Sequence, residues 1–474
     1  MKNNIMIIIC DQLSATALHT YGDTYSNTPA IDELAANSVV MEHAYTSCPL
    51  CQPARASFWT SRYPHQTGVL SNLPDQGFPE VSKDIPTLGE LFSNAGYDCV
   101  HFGKTHDYGS LRGFRVIESD EIRIPRANPS IPYDYETYLD IDTTNRSVSY
   151  LRSKPEEPFL MVADLQNPHN ICAYIGEHSE GHDGFEIEGE LPPLPENFEF
   201  DDIANRPAFI QYLCCAHRRQ RQASGWDEED FRHYLYAYYT YLSMVDRQIG
   251  EILGALKESG QDDRTMVVFL ADHGEGMGAH RLVTKYGAFY EETNRVPFFF
   301  SLPRTAGQTR ITGVTSLLDL MPTLLDYAGI PAPDSLEGIS LLPQITGKKS
   351  VSDRTLAAAE WYDEFRGYTV PGRMVCDEDF KYICYLEPDS EELYDMKQDR
   401  YEKTNLARRP EYAEVLEQYR EHLKKHLHAS QDPFLSLKTE GTERHRRHPL
   451  GFCHHQGPSA VELYADEKKR KQMV

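Results

Sequence analysis

No stretch of this 474-residue chain approaches the roughly 18 consecutive apolar residues that a membrane-spanning helix requires. Positive charge is also scarce: 47 Lys and Arg stand against 72 Asp and Glu, a formal net charge of −25. A field of that sign repels phosphate backbones and anionic lipid, so no nucleic acid and no membrane surface is expected as a partner. An anionic substrate would need a local basic pocket working against the global charge. The 10 cysteines show neither paired zinc spacing nor a dense disulfide framework. In a reducing compartment most serve as small buried apolar residues. The N-terminus offers only a short apolar run, 5–9, too short for the core of a secretion leader and followed at once by Asp11 and Gln12. The expectation is a buried first strand and a cytoplasmic protein.

With 40% hydrophobic and 25% charged residues the composition is that of a globular chain. Four apolar runs of strand length each lead into a polar cluster. Residues 5–10 end in Asp11-Gln12, and 98–102 end in Gly103-Lys104-Thr105-His106. Residues 159–163 lead to Asn167-Pro168-His169, and 266–271 end in Asp272-His273-Gly274-Glu275. Helical patterns lie between them. The longest falls within 228–259, where Tyr238, Leu242, Val245, Ile249, Ile252 and Leu256 recur at steps of three and four, and Gly260 follows as a stop. Alternating strands and helices predict an α/β domain with a largely parallel sheet. Ligands in such sheets bind beyond the carboxyl ends of the strands, where all four clusters stand.

Residues 107–147 and 174–226 look like irregular insertions, either walls that shape access to a site or solvated excursions. After about residue 350 the pattern changes. Residues 373–376 and 380–385 read as a hairpin around Asp377-Glu378-Asp379, Glu392-Leu393-Tyr394-Asp395 follows, and Val415, Leu416, Tyr419 and Leu423 mark one face of a helix over 411–426. This divides the chain into a large catalytic unit, 1–350, a small α+β unit, 351–435, and an extended tail, 436–474. The tail carries His445, His448, His454 and His455 at loose spacing, and reads as a solvated arm or a means of wrapping a second copy in a homo-oligomer.

The strongest local signal is Cys51-Gln52-Pro53-Ala54-Arg55. Pro53 fits the first turn of a helix, which places the cysteine at a helix N-terminus where backbone N–H groups favour an anion. Arg55 is near enough in sequence to hold a tetrahedral oxyanion or the nucleophile itself. Read by itself, the pattern describes a thiolate nucleophile.

Taken together, the motifs resemble the type I sulfatases of the alkaline phosphatase superfamily. The resemblance runs over most of residues 4–430. It rests on residues 28–35, on Cys51–Arg55 extended through Ser61-Arg62-Tyr63-Pro64-His65-Gln66-Thr67-Gly68, and on Gly103-Lys104-Thr105-His106. Asn167-Pro168-His169, Ala271 to Glu275, Lys285 and Glu392-Leu393-Tyr394-Asp395 complete it. The resemblance implies an alkaline-phosphatase-like α/β/α sandwich with a large mixed, mostly parallel sheet, plus a smaller C-terminal antiparallel sheet packed with a helix.

It also implies that Cys51 is oxidised to formylglycine by a separate maturation enzyme. A hydrated aldehyde carries two hydroxyls on one carbon. One attacks sulfur; the other, once deprotonated, collapses to the aldehyde and expels sulfate, so the nucleophile regenerates without a second attack at sulfur. By position, Arg55 and Lys104 should steady the hydrate and the sulfate. His106 should be the base for the collapse, and His169 and Lys285 should bind sulfate oxygens and protonate the leaving oxygen. Asp11, Gln12, Asp272 and His273 match the family's metal ligands. Calcium suits such oxygen donors, with magnesium or manganese open because Gln12 stands where many members have Asp and His273 where some have Asn.

The implied reaction is hydrolysis of a sulfate ester, with a small anionic sulfated saccharide as the favoured substrate and His101, Glu360, Trp361 and Tyr362 as wall residues. Two other readings stand beside it. One keeps the fold and nucleophile but makes the substrate a phosphonate monoester or phosphodiester. The other is a binding protein on a retained fold.

Overall fold

The computed structural model describes residues 2–72, 80–117, 135–178, 185–199, 206–207, 209–210, 218–223, 225–285, 289–303, 307–362, 364–365, 368–386 and 389–437. Parts of both expected insertions, and the tail from residue 438 with its four histidines, lie outside the described residues.

Eight strands build the large sheet. They are β1 (Asn4–Cys10), β2 (Val39–Tyr45), β3 (Asp98–Gly103), β4 (Arg115–Ile117), β5 (Phe159–Leu165), β6 (Thr265–Ala271), β7 (Phe298–Ser301) and β8 (Thr309–Ser316). Their spatial order is β4-β3-β5-β1-β6-β7-β2-β8. Only β7 runs against its neighbours β6 and β2; the other pairings are parallel. Every residue of β1, β5 and β6 is buried, as expected of strands covered by helices on both faces. Registers fix the geometry at the rim. Cys10 stands opposite Leu165 on one side and Ala271 on the other, and Gly103 stands opposite Asp164. The residues that follow these strands, Asp11, Asp272 and Lys104, are therefore delivered to one edge of the sheet.

Of the covering helices, α1 spans Pro29–Ala36, α2 Cys51–Thr60, α3 Tyr135–Arg152, α4 Ile171–His178, α5 Glu228–Ser259 and α6 Leu320–Ala328. The stripe read from sequence on α5 is buried, its start is capped by Asp227, and Gly260 ends it in the left-handed region. Within α5, Asp246 accepts from the Ala30 and Ile31 amides at 3.2 and 2.8 Å. It thereby caps the start of α1 with a carboxylate from a neighbouring helix. Segment 107–147 is more regular than expected, since it contains β4 and the start of α3. Among the described residues no helix is long and apolar enough to cross a membrane.

A second, antiparallel sheet is formed by β9 (Ala357–Trp361), β10 (Gly372–Cys376), β11 (Phe380–Tyr385) and β12 (Glu391–Asp395), in the order β12-β11-β10-β9. One helix, α7 (Ala413–Ala429), lays Leu416, Tyr419, Leu423 and Leu427 against it. The other side packs Trp361, Met374 and Ile383 with Tyr45, Cys48 and Leu50 of the large domain. That contact braces the segment leading into Cys51, and the Glu360 amide donates to Ser47 O at 2.8 Å. A polar tie lies beside it. His65 Nδ1 sits 2.5 Å from Glu360, His65 Nε2 donates to Ser430 O at 3.0 Å, and Arg373 grips Asp432 at 2.6 and 2.9 Å.

Two outcomes follow from this architecture. Gly103 has φ +97°, and a Cβ there would stand 2.1 Å from the Asp164 carbonyl. Gly103→Ala should therefore cost about 3 kcal/mol of stability, read from the denaturant midpoint. For His65, burial works against the charged ring, but the Glu360 contact outweighs it and the pKa is raised. The ring's contribution to stability is then full below the ordinary histidine value of about 6.5 and is lost as pH rises through the elevated folded value. Wild type should lose stability relative to His65→Gln on going from mildly acidic to alkaline buffer, as thermal melts across pH would report.

Candidate active site

The segment between β2 and α2 is held before the helix begins. Thr46 N donates to Asn294 O at 3.0 Å, and Leu50 is extended, so that Cys51 is the first residue of α2. Pro53 has no amide hydrogen to leave unpaired in this first turn, and the Gln52 amide is taken up by Asn72 Oδ1 at 2.9 Å. The Cys51 sulfur thus emerges at the N-terminal end of a buried helix, as the sequence motif implied.

One turn along, Arg55 is fully buried. Its Nε donates to Asp272 Oδ2 at 2.9 Å, Nη1 to Asp164 Oδ2 at 2.6 Å and Nη2 to Asp11 Oδ2 at 3.2 Å. The sequence suggested that Arg55 would hold an oxyanion; instead all three of its nitrogens face carboxylates. Burial would lower its pKa, but Asp164, Asp272 and Asp11 raise it, so it stays charged. Lys104 adds a further ion pair to Asp11 Oδ2.

With their Oδ2 atoms engaged, Asp11 and Asp272 turn Oδ1 the other way. Each Oδ1 lies 3.8 Å from His273 Nε2, and Asp11 Oδ1 lies 3.8 Å from Cys51 Sγ. His273 Nδ1 faces the Gly274 carbonyl at 2.9 Å. A carbonyl only accepts, so Nδ1 carries a hydrogen and Nε2 faces the carboxylates and Cys51 Sγ, 3.1 Å away. One ligand atom from each of Asp11, Cys51, Asp272 and His273 lies within 4.8 Å of the others. Two buried carboxylate oxygens and an oriented imidazole converging on one point form a donor set that fits a hard divalent cation.

Gln12, also expected as a ligand, has φ +66°, a strained conformation for a side-chain-bearing residue. Its backbone is clamped by a donation to Asp272 Oδ1 at 3.1 Å and by the Tyr238 hydroxyl on its carbonyl at 2.7 Å. Its carboxamide donates to Glu275 and accepts from Lys285 Nζ, the latter at 2.8 Å. Lys285 also donates to Cys51 Sγ at 2.9 Å, and His106 is close enough to lower the pKa of the same sulfur. His169, on the loop after β5, acts electrostatically on Asp11. The structure thus brings all ten sequence-selected residues to one rim.

Burial tends to raise the Cys51 thiol, yet Lys285, Lys104, His273 and His106 hold it well below the usual thiol range. Burial and the Cys51 sulfur act to raise Asp11, but Lys104, His169 and Lys285 keep its carboxyl low. Its neighbour Asp272 is pushed up by burial and by Asp11. A cation would relieve that last repulsion.

Sequence reading missed Asp164, the one carboxylate inside the otherwise apolar β5, and that isolated charge was the available signal. It quoted Glu275 without a role. The side chain is fully buried and accepts from Gln12, the Tyr234 hydroxyl and the Thr284 amide. Two expected wall residues are placed elsewhere. His101 is fully buried against Asp164, at 3.2 Å, and Trp361 lies in the apolar layer beneath the small sheet. Tyr362 and Glu360 line a cleft shared with Pro64, His65, Leu70 and Pro433.

A family model described as Sulfatase matches residues 3–330, and one described as N-sulphoglucosamine sulphohydrolase, C-terminal, matches residues 278–429. A Delta 4,5-hexuronate-2-O-sulfatase of Bacteroides thetaiotaomicron is 44% identical over 467 residues, covering 98% of this chain and 96% of that protein. A solved 2-O GAG sulfatase has TM-score 0.90 and 44% identity, covering 98% of this chain and 100% of that one. The phosphonate monoester hydrolase of Agrobacterium radiobacter, at 23% identity, shares the fold with TM-score 0.73 over 92% of this chain and 97% of its own.

The donor geometry makes Asp272 hard to replace. In Asp272→Asn, affinity for calcium should fall at least about tenfold, as measured by calorimetric titration of chelator-treated protein. Unchanged affinity would remove Asp272 from the donor set.

Proposed function

Because this chain belongs to the sulfatase family, we propose that it removes the 2-O-sulfate of a hexuronate in a short glycosaminoglycan-derived saccharide, using Cys51 matured to formylglycine. The chain is a sulfuric ester hydrolase, and a sulfated saccharide is the substrate class its relatives support. The choice of a 2-O-sulfated hexuronate rests on the relative that is 44% identical along nearly the whole chain. The observation that carries the chemistry is the position of residue 51, whose side chain meets His273, Lys285 and Asp11 at one point. Overall, the ester and one water give the alcohol, sulfate and a proton.

In this reading Asp11, Asp272 and His273 hold a divalent cation, with Gln12 beside them and calcium the favoured ion. Such a cation, when bound, supplies Lewis-acid polarisation of the sulfuryl oxygens and of a hydroxyl on residue 51. The chain's own residues do the rest. Lys285, already on the side chain of residue 51, binds a sulfuryl oxygen and shares with His169 the protonation of the departing sugar oxygen. His106 takes the proton from the second hydroxyl of residue 51. Lys104 and Arg55 keep the aspartates ionised and aligned rather than gripping sulfate alone. Positive groups preorganised around a transferring sulfuryl stabilise the charge that develops there in the transition state. They also give a chain of net charge −25 a local attraction for an anion.

The test uses protein made with a formylglycine-generating enzyme. Its intact mass should be ~18 Da below that of the cysteine form, the change expected when SH and H give way to O. Assayed on defined unsaturated disaccharides, it should release sulfate from O2 of the uronate, with kcat/KM about 100-fold above that for 6-O- or N-sulfated isomers. Equal turnover of all isomers would reject the substrate assignment. Faster hydrolysis of a phosphonate monoester than of any sulfate would reject the reading as a whole.

A further inference from the structure

One buried charge in this site is left without a role by the chemistry above. Asp164 is the penultimate residue of β5, where its neighbours Phe159 to Ala163 and Leu165 are all apolar and buried. Burying a carboxylate is costly, and an ion pair seldom returns more stability than an apolar replacement, so stability is a weak reason for its presence. Its Oδ2 receives the shortest of the three Arg55 contacts, 2.6 Å, and faces His101 Nε2 at 3.2 Å. Its Oδ1 and His101 Nδ1 have no hydrogen-bond partner among the described residues. The surroundings are rigid. His101 packs edge-on against Trp59, one turn beyond Arg55 on α2, and against Phe114, with ring centres 6.2 and 6.1 Å apart. Gly103, beside Asp164 in the neighbouring strand, leaves no room for a side chain.

Arg55 carries one positive charge and three carboxylates share it. Two of these, Asp11 and Asp272, are the cation donors; the third is not within the donor cluster. We propose that Asp164 is a positioning residue, held with His101 behind Arg55, which draws part of the guanidinium charge away from Asp11 and Asp272 and so sets the affinity of the site for its divalent cation. Without Asp164 the whole guanidinium charge would fall on the two donor carboxylates. Their oxygens would then attract a cation less, and the cluster would carry one more positive charge against it. The proposal rests on the metal reading given above, and its test separates the two.

Calcium alone is the probe, titrated calorimetrically into chelator-treated protein. Wild type that binds no divalent cation at this site would defeat the metal reading itself. Given binding by wild type, Asp164→Asn should raise the calcium dissociation constant about 10- to 100-fold. At saturating calcium, kcat on a sulfated saccharide should stay within about threefold of wild type, because Asp164 touches neither substrate nor cation. A merely structural carboxylate would shift the metal-free melting temperature and leave the dissociation constant within about twofold; that result overturns the proposal. Asp164→Ser serves as the second neutral variant if Asn does not fold. Failure of both to fold would assign Asp164 to folding and overturn the proposal as well.

Discussion

The structure is organised around one buried guanidinium. Arg55 faces three aspartates that arrive on three separate parallel strands, β1, β5 and β6, two of them at the residue just past the strand end. Three carboxylates with no solvent exposure would repel one another and draw protons if they were not neutralised. Arg55 is suited to the task because its planar fork offers donors in three directions and does not deprotonate. Much of the large domain serves this meeting. Parallel pairing in register brings Asp11, Asp164 and Asp272 to comparable heights, and α2 lowers the arginine among them from one face.

Consequences run outward from that contact. Since Arg55 occupies the Oδ2 atoms, the Oδ1 atoms of Asp11 and Asp272 are turned toward His273 and Cys51. The same helix that carries Arg55 begins at Cys51, so residue 51 and the clamp cannot move independently. The small sheet fixes the approach to that helix through Tyr45, Cys48 and Leu50, while the α5 tyrosines Tyr234 and Tyr238 hold Glu275 and Gln12. The strained backbone at Gln12 is tolerated because these contacts over-determine it. Charge near the sulfur is balanced differently from charge on the whole molecule: Lys104, Lys285 and Arg55 oppose Asp11, Asp164 and Asp272, and a cation would tip the balance to positive.

Much of this was legible in the sequence because parallel strands advertise themselves. A fully buried strand is an unbroken apolar run, and the polar residue that ends it marks the sheet rim, which located the clusters holding Asp11, Lys104 and Asp272, while the resemblance to a known family singled out the residues within them. The hairpin of the small sheet was equally plain in 373–385. Other strands were not. β2 is interrupted by Glu42 and His43, β7 is four residues long, and β8 mixes Thr and Arg with apolar residues. Residues such as Asp164 and His101 were invisible or misplaced for one reason. In a sheet covered on both faces, alternation does not tell which side chain points toward the site. Only the distance between strands, a tertiary quantity, shows that His101 backs Asp164 instead of facing a ligand. Arg55 was selected from its motif, but its three carboxylate partners became readable only when three strands were seen side by side.

The most direct measurement is anomalous diffraction from crystals of the mature protein soaked in manganese. A single strong peak should appear about 2.0–2.6 Å from the carboxylate oxygens of Asp11 and Asp272 and the imidazole nitrogen of His273, next to residue 51, with Arg55 still bonded to all three aspartates. A cation bound elsewhere, or one bound there only after Arg55 has swung away from the aspartates, would contradict the arrangement described.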